Sequence, residues 1–236
     1  MIKEAIILAG GLGTRLRSVI SDVPKCMASI DGKPFLHYLI EYLHQKGIEK
    51  FIFSVGYKYE IIEEYLQKNY AHLNHKISLE TEPLGTGGAI KLACKKSTEK
   101  DILACNGDTL FKIDKDALDK FHKTMKAACT LSLKPMHNFD RYGVVELNED
   151  HSVKTFKEKQ HYTNGLINGG VYVLNVAKFL NEHLPEKFSF EKDYLEKKVS
   201  PENKISKIFG LVQDGYFIDI GIPEDYEKAQ KELSIV

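Results

Sequence analysis

Short apolar runs in the first half of the chain alternate with segments whose apolar residues recur at helical spacing. The runs occupy residues 4–9, 50–56, 76–81, 102–106 and 129–135. Between them, helical spacing extends from Phe35 to Leu43, with Gly47 as a stop signal, and from Ile61 to Leu66. Each pair of strand and helix takes about 25 to 45 residues, which is typical of βαβ units around a parallel sheet.

The pattern changes after residue 140, where short strand candidates at residues 142–147, 153–156 and 170–174 are separated by polar turns. These turns leave no room for the crossover helices that parallel strands need. The chain closes with a strand-like run at residues 216–220, a turn at Gly221 to Pro223 and a helix at residues 224–233. The expected fold class is therefore α/β: a Rossmann-like mixed, mostly parallel central sheet flanked by helices, with an antiparallel insertion.

Composition limits the class of protein. The chain has 236 residues, of which 43% are apolar and 28% charged, and it has no repeat or linker, so one domain at residues 1–236 is expected. Its 33 Lys and Arg balance 33 Asp and Glu, so neither nucleic acid nor a membrane is expected as a partner. No apolar run reaches the roughly 18 to 20 residues of a membrane span, and we expect a cytoplasmic location.

The four cysteines are far apart in the sequence and include no CxxC pair. This spacing fits neither a zinc site nor a disulfide framework. We therefore expect buried, small thiols at Cys26, Cys94, Cys105 and Cys129.

A glycine-rich segment, which includes Gly10, Gly11 and Gly13, follows the first predicted strand. In open α/β folds ligands bind at this carboxyl edge, and glycines let backbone N–H groups approach an anion. Only three of the 33 cationic residues are Arg, and Arg15 and Arg17 both lie in this segment. Because a guanidinium grips phosphate bidentately, the segment predicts a phosphate site.

Two common phosphate loops do not match this segment. The Walker loop needs a Gly-Lys-Ser or Gly-Lys-Thr sequence, and the dinucleotide pattern GxGxxG fails because Leu16 stands where its third glycine would be. An NAD-dependent oxidoreductase therefore loses its main sequence support.

Four motifs, in order, resemble those of the sugar-1-phosphate nucleotidylyltransferases. They are Gly10-Gly11-Leu12-Gly13-Thr14-Arg15-Leu16 with Pro24-Lys25, Glu82-Pro83-Leu84-Gly85-Thr86-Gly87-Gly88-Ala89, Asn106-Gly107-Asp108, and Phe217-Ile218-Asp219-Ile220-Gly221-Ile222-Pro223-Glu224-Asp225-Tyr226. The resemblance implies transfer of a nucleoside monophosphate from an NTP to a sugar 1-phosphate, with release of pyrophosphate and help from Mg²⁺. It implies a nucleotide-binding part at about residues 1–110 and a sugar-binding part at about residues 111–236.

The resemblance also implies roles for single residues. Asp108 and Asp219 are expected to hold Mg²⁺, which prefers a few carboxylates together with phosphate oxygens and water. Arg15 is expected to stabilise the triphosphate, and Lys25 to bridge the phosphates of both substrates; these four residues form the predicted catalytic group. A turn, a helix entry and a surface lysine are the alternatives for Asp108, Asp219 and Lys25. The implied nucleotide-binding residues are Leu8, Gly10, Gly11, Gly13, Thr14, Arg15, Glu82, Gly85, Thr86 and Gly107.

On the acceptor side, Phe156-Lys157-Glu158-Lys159 resembles the family's sugar-phosphate motif. The resemblance implies that Glu158 accepts hydrogen bonds from sugar hydroxyls and that Lys159 meets the phosphate. The segments Arg141-Tyr142-Gly143 and Asn168-Gly169-Gly170 resemble the rest of the sugar pocket, with Gly143, Asn168 and Gly170 as its candidate residues. A solvated charge run and an ordinary hairpin turn are the alternatives.

The nucleobase is expected to be guanine. The Glu82 carboxylate can accept two N–H bonds from guanine, whereas uracil offers one such donor, and the alternative is that Glu82 only precedes Pro83 in a turn. Residues 8–28 look most like family members that use GTP and D-glycero-D-manno-heptose 1-phosphate. Mannose or glucose 1-phosphate, UTP or CTP, and a non-catalytic nucleotide-sugar sensor remain alternatives.

Three further expectations concern residues outside these motifs. Tyr57, Tyr59 and Tyr65 are expected to pack in and around their helix rather than stack on a base. Cys26 stands where many family members have proline, and no catalytic role is expected for it. A homodimer is the expected assembly.

Overall fold

The computed structural model describes residues 1–11, 23–199 and 208–233. The predicted site residues Gly13, Thr14 and Arg15 lie outside the described residues, as does Arg17.

The strands, in chain order, are β1 (Glu4–Leu8), β2 (Ser29–Ile30), β3 (Lys33–Pro34), β4 (Lys50–Val55), β5 (Asn74–Leu79), β6 (Asp101–Asn106), β7 (Thr109–Phe111), β8 (Cys129–Phe139), β9 (Val144–Leu147), β10 (Val153–Lys157), β11 (Tyr162–Asn175), β12 (Phe209–Val212) and β13 (Phe217–Asp219). The helices are α1 (Phe35–Gln45), α2 (Tyr59–Tyr70), α3 (Gly85–Cys94), α4 (Lys115–Thr124), α5 (Val176–Leu180) and α6 (Pro223–Leu233). A 3₁₀ turn spans Lys25–Met27, and a π-helical segment spans Phe190–Glu196.

A parallel core of four strands lies in the order β6-β1-β4-β5. Successive side chains of these strands point to opposite faces. On one face Ile7 and Phe53 pack against α1 and α2, while on the other Ile6 and Ile52 pack against α3. Since both faces are covered, the strands are continuous apolar runs, as parallel strands usually are. The expectation of a parallel sheet flanked by helices is confirmed.

The antiparallel part joins the parallel core through β11, which pairs with β6, β8 and β9. The sequence pattern predicts only residues 170–174 as a strand, but β11 begins at Tyr162. Its first half contains polar residues and Gly165, which local patterns assign to a turn. A Cβ at Gly165 would lie 2.6 Å from Val144 Cγ2, so close packing between strands requires glycine there.

Helix α3 corrects the interpretation of residues 85–89 as a loop. Glycine costs a helix about 1 kcal/mol relative to alanine, so a run of glycines indicates a loop. In the structure the run makes room for a neighbouring segment: a Cβ at Gly87 would lie 2.1 Å from the Phe188 ring, and one at Gly88 would lie 2.2 Å from the Glu186 carbonyl oxygen. The glycines are therefore there for close packing.

All four cysteines are buried and free, as predicted. Burial raises the pKa of the Cys26 thiol to about 12, so this thiol is protonated at neutral pH. Within the described ranges, each helix is too short or too polar to cross a bilayer.

Candidate active site

A cleft of about 730 Å³ opens at the carboxyl ends of β1 and β6. It is bounded by the glycine-rich segment on one side and by the start of α3 on the other. The predicted site residues that line it are Leu8, Gly10, Gly11, Lys25, Glu82, Gly85, Thr86, Gly107 and Asp108. Within the described part of the chain, the structure thus brings together all the residues of the predicted nucleotide site.

Glycines set how closely the walls of the cleft approach each other. Gly107 N–H donates a hydrogen bond of 2.9 Å to the Leu8 carbonyl, and a Cβ at Gly107 would lie 2.5 Å from that oxygen. Gly85 has a φ of +71° and lies against the Phe188 backbone, where a side chain would clash. Glycine is therefore required at both positions for the walls to approach this closely.

Lys25 lies between the two predicted metal ligands. Its Nζ is 2.5 Å from Asp108 Oδ2 and 3.7 Å from Asp219 Oδ1. Lys25 opens the 3₁₀ turn, whose other residues Cys26 and Met27 are buried and hold the backbone in place. The lysine side chain is only 15% exposed, so its charge acts where solvent screens it little.

Asp219 reaches this position through strand pairing. Strand β13 pairs with β7 so that Asp219 is opposite Thr109, and Ile220 N–H donates to the Asp108 carbonyl at 3.0 Å. Asp219 Oδ2 accepts a hydrogen bond of 3.4 Å from the Tyr142 hydroxyl. Burial raises the pKa of Asp219, and the charge of Asp108 raises it further.

The two carboxylates fit a magnesium ion that also binds substrate phosphates. Among the described residues, Asp219 Oδ1 is buried and has no hydrogen-bond partner, because Lys25 Nζ is too distant to donate to it. Across the described residues, no group of three or more His, Cys, Asp or Glu side chains has a metal-binding arrangement. Mg²⁺ is commonly held by one or two carboxylates plus phosphate oxygens and water, so this donor set suits it.

The cleft wall formed by residues 80–86 contains a carboxylate, Glu80, that belongs to none of the predicted motifs. Glu80 directly follows β5 and lines the cleft, where its Oε2 accepts from Leu84 N–H at 3.1 Å and its Oε1 accepts from the Ser54 hydroxyl at 3.4 Å. Burial raises the pKa of Glu80. The predicted Glu82 is exposed on the same wall. The sequence feature that could have identified Glu80 is its position as a carboxylate at the end of a parallel strand.

Tyr57 also lines the cleft, so its expected packing with the helix is wrong. Helix α2 begins at Tyr59, and Lys58 before it has a φ of +51°, which leaves Tyr57 outside the helix and 38% exposed. Tyr59 and Tyr65 pack against the core as predicted.

The acceptor motifs meet at the same edge of the sheet. Lys157, Val144 and Ile167 form one row across β10, β9 and β11. The candidates Gly143, Glu158 and Asn168 are the chain neighbours of these three residues, and because β9 is antiparallel to β10 and β11, all three lie on the same side of the row. Gly170 has a φ of +70°, and a Cβ there would lie 2.7 Å from Asn106 Nδ2, which places the turn beside the cleft.

The described structure leaves Glu158 and Lys159 exposed at the end of β10. The Glu158 carbonyl accepts from the Tyr162 hydroxyl at 3.0 Å. Asn168 is more tightly held: its Nδ2 donates to the Tyr172 hydroxyl at 2.8 Å and to Glu191 Oε1 at 3.1 Å. Glu191 belongs to none of the quoted motifs.

Comparison with known proteins gives a consistent result. A family model described as nucleotidyl transferase matches residues 4–234. The chain is 54% identical to a D-glycero-alpha-D-manno-heptose 1-phosphate guanylyltransferase of Aneurinibacillus thermoaerophilus, with 98% of each chain covered. It is 47% identical to a protein of the same name from Campylobacter jejuni, over 94% of this chain and 96% of that one.

The fold is also similar to that of a solved structure. The crystal structure of HddC from Yersinia pseudotuberculosis aligns with a TM-score of 0.86 and 38% sequence identity, covering 98% of this chain and 100% of HddC. A second HddC structure, complexed with GMP-PN, aligns equally well.

Proposed function

The chain belongs to the nucleotidyl transferase family, and we propose that it transfers GMP from GTP to D-glycero-D-manno-heptose 1-phosphate, giving the GDP-sugar and pyrophosphate. The observation that carries the reaction is the convergence of Lys25, Asp108 and Asp219 at one end of a cleft lined by both nucleotide motifs. The assignment of the sugar and of the base rests on the similarity to the heptose 1-phosphate guanylyltransferase of Aneurinibacillus thermoaerophilus. This similarity covers nearly all of both chains.

Repulsion between two anions is the main obstacle to this reaction. A phosphate oxygen of the sugar 1-phosphate must attack the α-phosphorus of the NTP. The shielded Lys25 ammonium is placed to neutralise both phosphates, for which it exchanges the Asp108 carboxylate for phosphate oxygens. Asp108 and Asp219 would hold Mg²⁺, which when bound would neutralise charge on the transferring group and orient it.

The transfer proceeds by direct displacement. Cys26 is the nucleophile nearest to Lys25 in sequence, but its thiol is buried and its raised pKa keeps it protonated. The protein positions two substrates and stabilises charge, which is how phosphoryl-transfer enzymes generally act.

The nucleotide is held by backbone as well as side chains. Gly10 and Gly11 line the cleft, where glycines let the backbone approach an anion, and the positive end of α3 lies at the cleft at Gly85 and Thr86. Arg15, Gly13 and Thr14 complete the triphosphate site in this proposal.

In this proposal, Glu82 recognises guanine through hydrogen bonds. Its exposed carboxylate lines the cleft and can accept the paired N–H donors of guanine. On the acceptor side, Gly143, Glu158, Lys159, Asn168 and Gly170 surround the sugar 1-phosphate.

Nucleotidyl transferases generally use a divalent metal, and Mg²⁺ is the ion we propose. The cytoplasmic location, the homodimer, and the division into nucleotide-binding residues 1–110 and sugar-binding residues 111–236 stay predictions.

The test is pyrophosphate release from a matrix of substrates in Mg²⁺. GTP, UTP, CTP, ATP and dTTP are each combined with the 1-phosphates of D-glycero-D-manno-heptose, mannose and glucose. The proposal expects release to be fastest with GTP and the heptose, and to require both substrates. Asp108→Asn is the inactive control. Turnover with another pair would reject the substrates but keep the reaction, whereas nucleotide binding without turnover would indicate a sensor.

A further inference from the structure

The π-helical segment Phe190–Glu196 connects the nucleotide side of the cleft to the acceptor side. Phe190 N–H donates to Thr86 Oγ1 at 2.9 Å, and Gly87 N–H donates to the Phe188 carbonyl at 3.0 Å. One residue beyond Phe190, Glu191 Oε1 accepts from Asn168 Nδ2 at 3.1 Å. π-Helical turns are rare and are frequently found at functional sites, which draws attention to the side chain that this one presents.

The backbone of Glu191 is firmly fixed although its side chain is open to solvent. Phe190, Tyr194 and Leu195 of the same segment are buried, with Phe190 packed edge-on against Tyr172. Glu191 itself is exposed, yet the protein atoms around its recess raise the pKa of the carboxyl, while the nearby charge of Lys159 lowers it. An accessible carboxylate in a rigid recess is suited to bind a ligand.

Asn168 cannot donate to a sugar in this arrangement. An amide group has two N–H donors, and both are used, one on the Tyr172 hydroxyl and one on Glu191. Its Oδ1 already accepts from Gly170 N–H at 3.1 Å. The geometry therefore makes Asn168 the residue that orients Glu191, rather than the main contact to the substrate.

We propose that the Glu191 carboxylate accepts hydrogen bonds from the hydroxyl groups of the acceptor sugar and that Asn168 is the residue that positions Glu191. A carboxylate only accepts hydrogen bonds, so it suits a polyol and repels a phosphate. Bonds from hydroxyls to an ionised acceptor are also strong. With Lys159 meeting the phosphate, the two charges orient the sugar 1-phosphate with its hydroxyl-bearing end toward Glu191. This inference rests on the proposed function.

The test compares Glu191→Gln and Glu191→Ala with Glu149→Gln, a change of an exposed carboxylate in the turn between β9 and β10. Steady-state rates are measured against GTP and against the sugar 1-phosphate separately, and melting temperatures verify folding. We expect Glu191→Gln to raise the KM for the sugar 1-phosphate about tenfold or more and to leave the KM for GTP within about twofold. Glu149→Gln should behave like the unchanged protein.

A second measurement does not depend on turnover. Calorimetric titration of the sugar 1-phosphate into protein saturated with a non-hydrolysable GTP analogue should show the same loss of affinity in Glu191→Gln. Asn168→Ala should weaken sugar binding in the unchanged protein but add little in the Glu191→Gln background, because both changes act on one contact.

The inference is overturned if Glu191→Gln folds normally and keeps its affinity for the sugar 1-phosphate, or if the KM values for both substrates rise equally. Its failure is separable from that of the proposed function. If the unchanged protein prefers another sugar 1-phosphate, the heptose assignment fails, and the same variants are then measured with the preferred sugar.

Discussion

Lys25 and Asp108 form an ion pair in which Nζ lies 2.5 Å from Oδ2, although 83 positions separate the two residues in the sequence. The pair holds the lysine at the end of β6, beside the second carboxylate, Asp219. Both partners line the cleft. In the proposed reaction, incoming phosphates compete with Asp108 for the lysine, so the ion pair keeps the cation where negative charge would accumulate.

Replacement of Lys25 by methionine should lower kcat about 100- to 1,000-fold, the usual cost of removing one group that stabilises charge in the transition state. Methionine has a similar length but carries no charge, so the fold should persist. Pyrophosphate release measures the rate, and a melting curve verifies folding. Lys33→Met, at the exposed start of β3, is the matched control and should leave kcat unchanged. Retention of more than a tenth of the activity by Lys25→Met would contradict the role.

Asp219→Asn should raise the Mg²⁺ concentration needed for half-maximal rate and lower the maximal rate. The physical reason is that Asp219 Oδ1 is buried without a hydrogen-bond partner in the described part of the chain, and Asp219 is one of the two carboxylates proposed to hold the ion. Initial rates are measured over a Mg²⁺ series at saturating substrates. Asp214→Asn is the control, because Asp214 is exposed and paired with Lys134. An unchanged Mg²⁺ dependence in Asp219→Asn would remove this residue from the metal site.

Glu82→Gln should reduce the preference for GTP over ITP, which lacks the 2-amino group of guanine. The amide presents its own donor to the donor groups of guanine, so part of the pairing is lost, at a cost of about 1 to 3 kcal/mol. The ratio of kcat/KM for the two nucleotides is the measurement. Glu60→Gln, an exposed change on α2, should not alter it. If Glu82→Gln keeps the full preference, base recognition belongs elsewhere on that wall, with Glu80 as the first candidate.

A buried carboxylate at the opposite end of the sheet makes stability depend on pH. Burial by itself raises the pKa of Glu4, but hydrogen bonds from Lys50, Ser97 and Thr98 outweigh it and lower the pKa from 4.5 to about 2. A carboxyl with a lowered pKa in the folded state stabilises the protein above pH 4.5, and this contribution is lost as the pH falls toward 2.

Glu4→Gln should therefore lower the free energy of unfolding by about 2 to 3 kcal/mol at pH 7, because the buried Lys50 ammonium loses its counter-charge. Urea unfolding at several pH values should show the difference shrinking below pH 4.5. Glu49→Gln, which breaks the exposed pair with Lys3, is the control and should cost little at any pH. A difference that stays constant down to pH 2.5 would contradict the lowered pKa.

The sequence by itself determined the parallel strands, the helices α1, α2 and α6, and the motifs around Lys25, Asp108 and Asp219. These features are local, since periodicity, glycine positions and motif order are properties of neighbouring residues. They were sufficient for the fold class and for the family resemblance.

Tertiary structure alone decided which side chains share the site and which glycines form a helix. The pairing of β13 with β7 brings Asp219 to Asp108, and the packing of residues 186–188 explains the glycines in α3. Tyr57 lies at the cleft because helix α2 begins two residues after it, and the π-helical segment places Glu191 beside Asn168. Such contacts join residues distant in the chain, and their energies depend on close packing and burial, which no local pattern records.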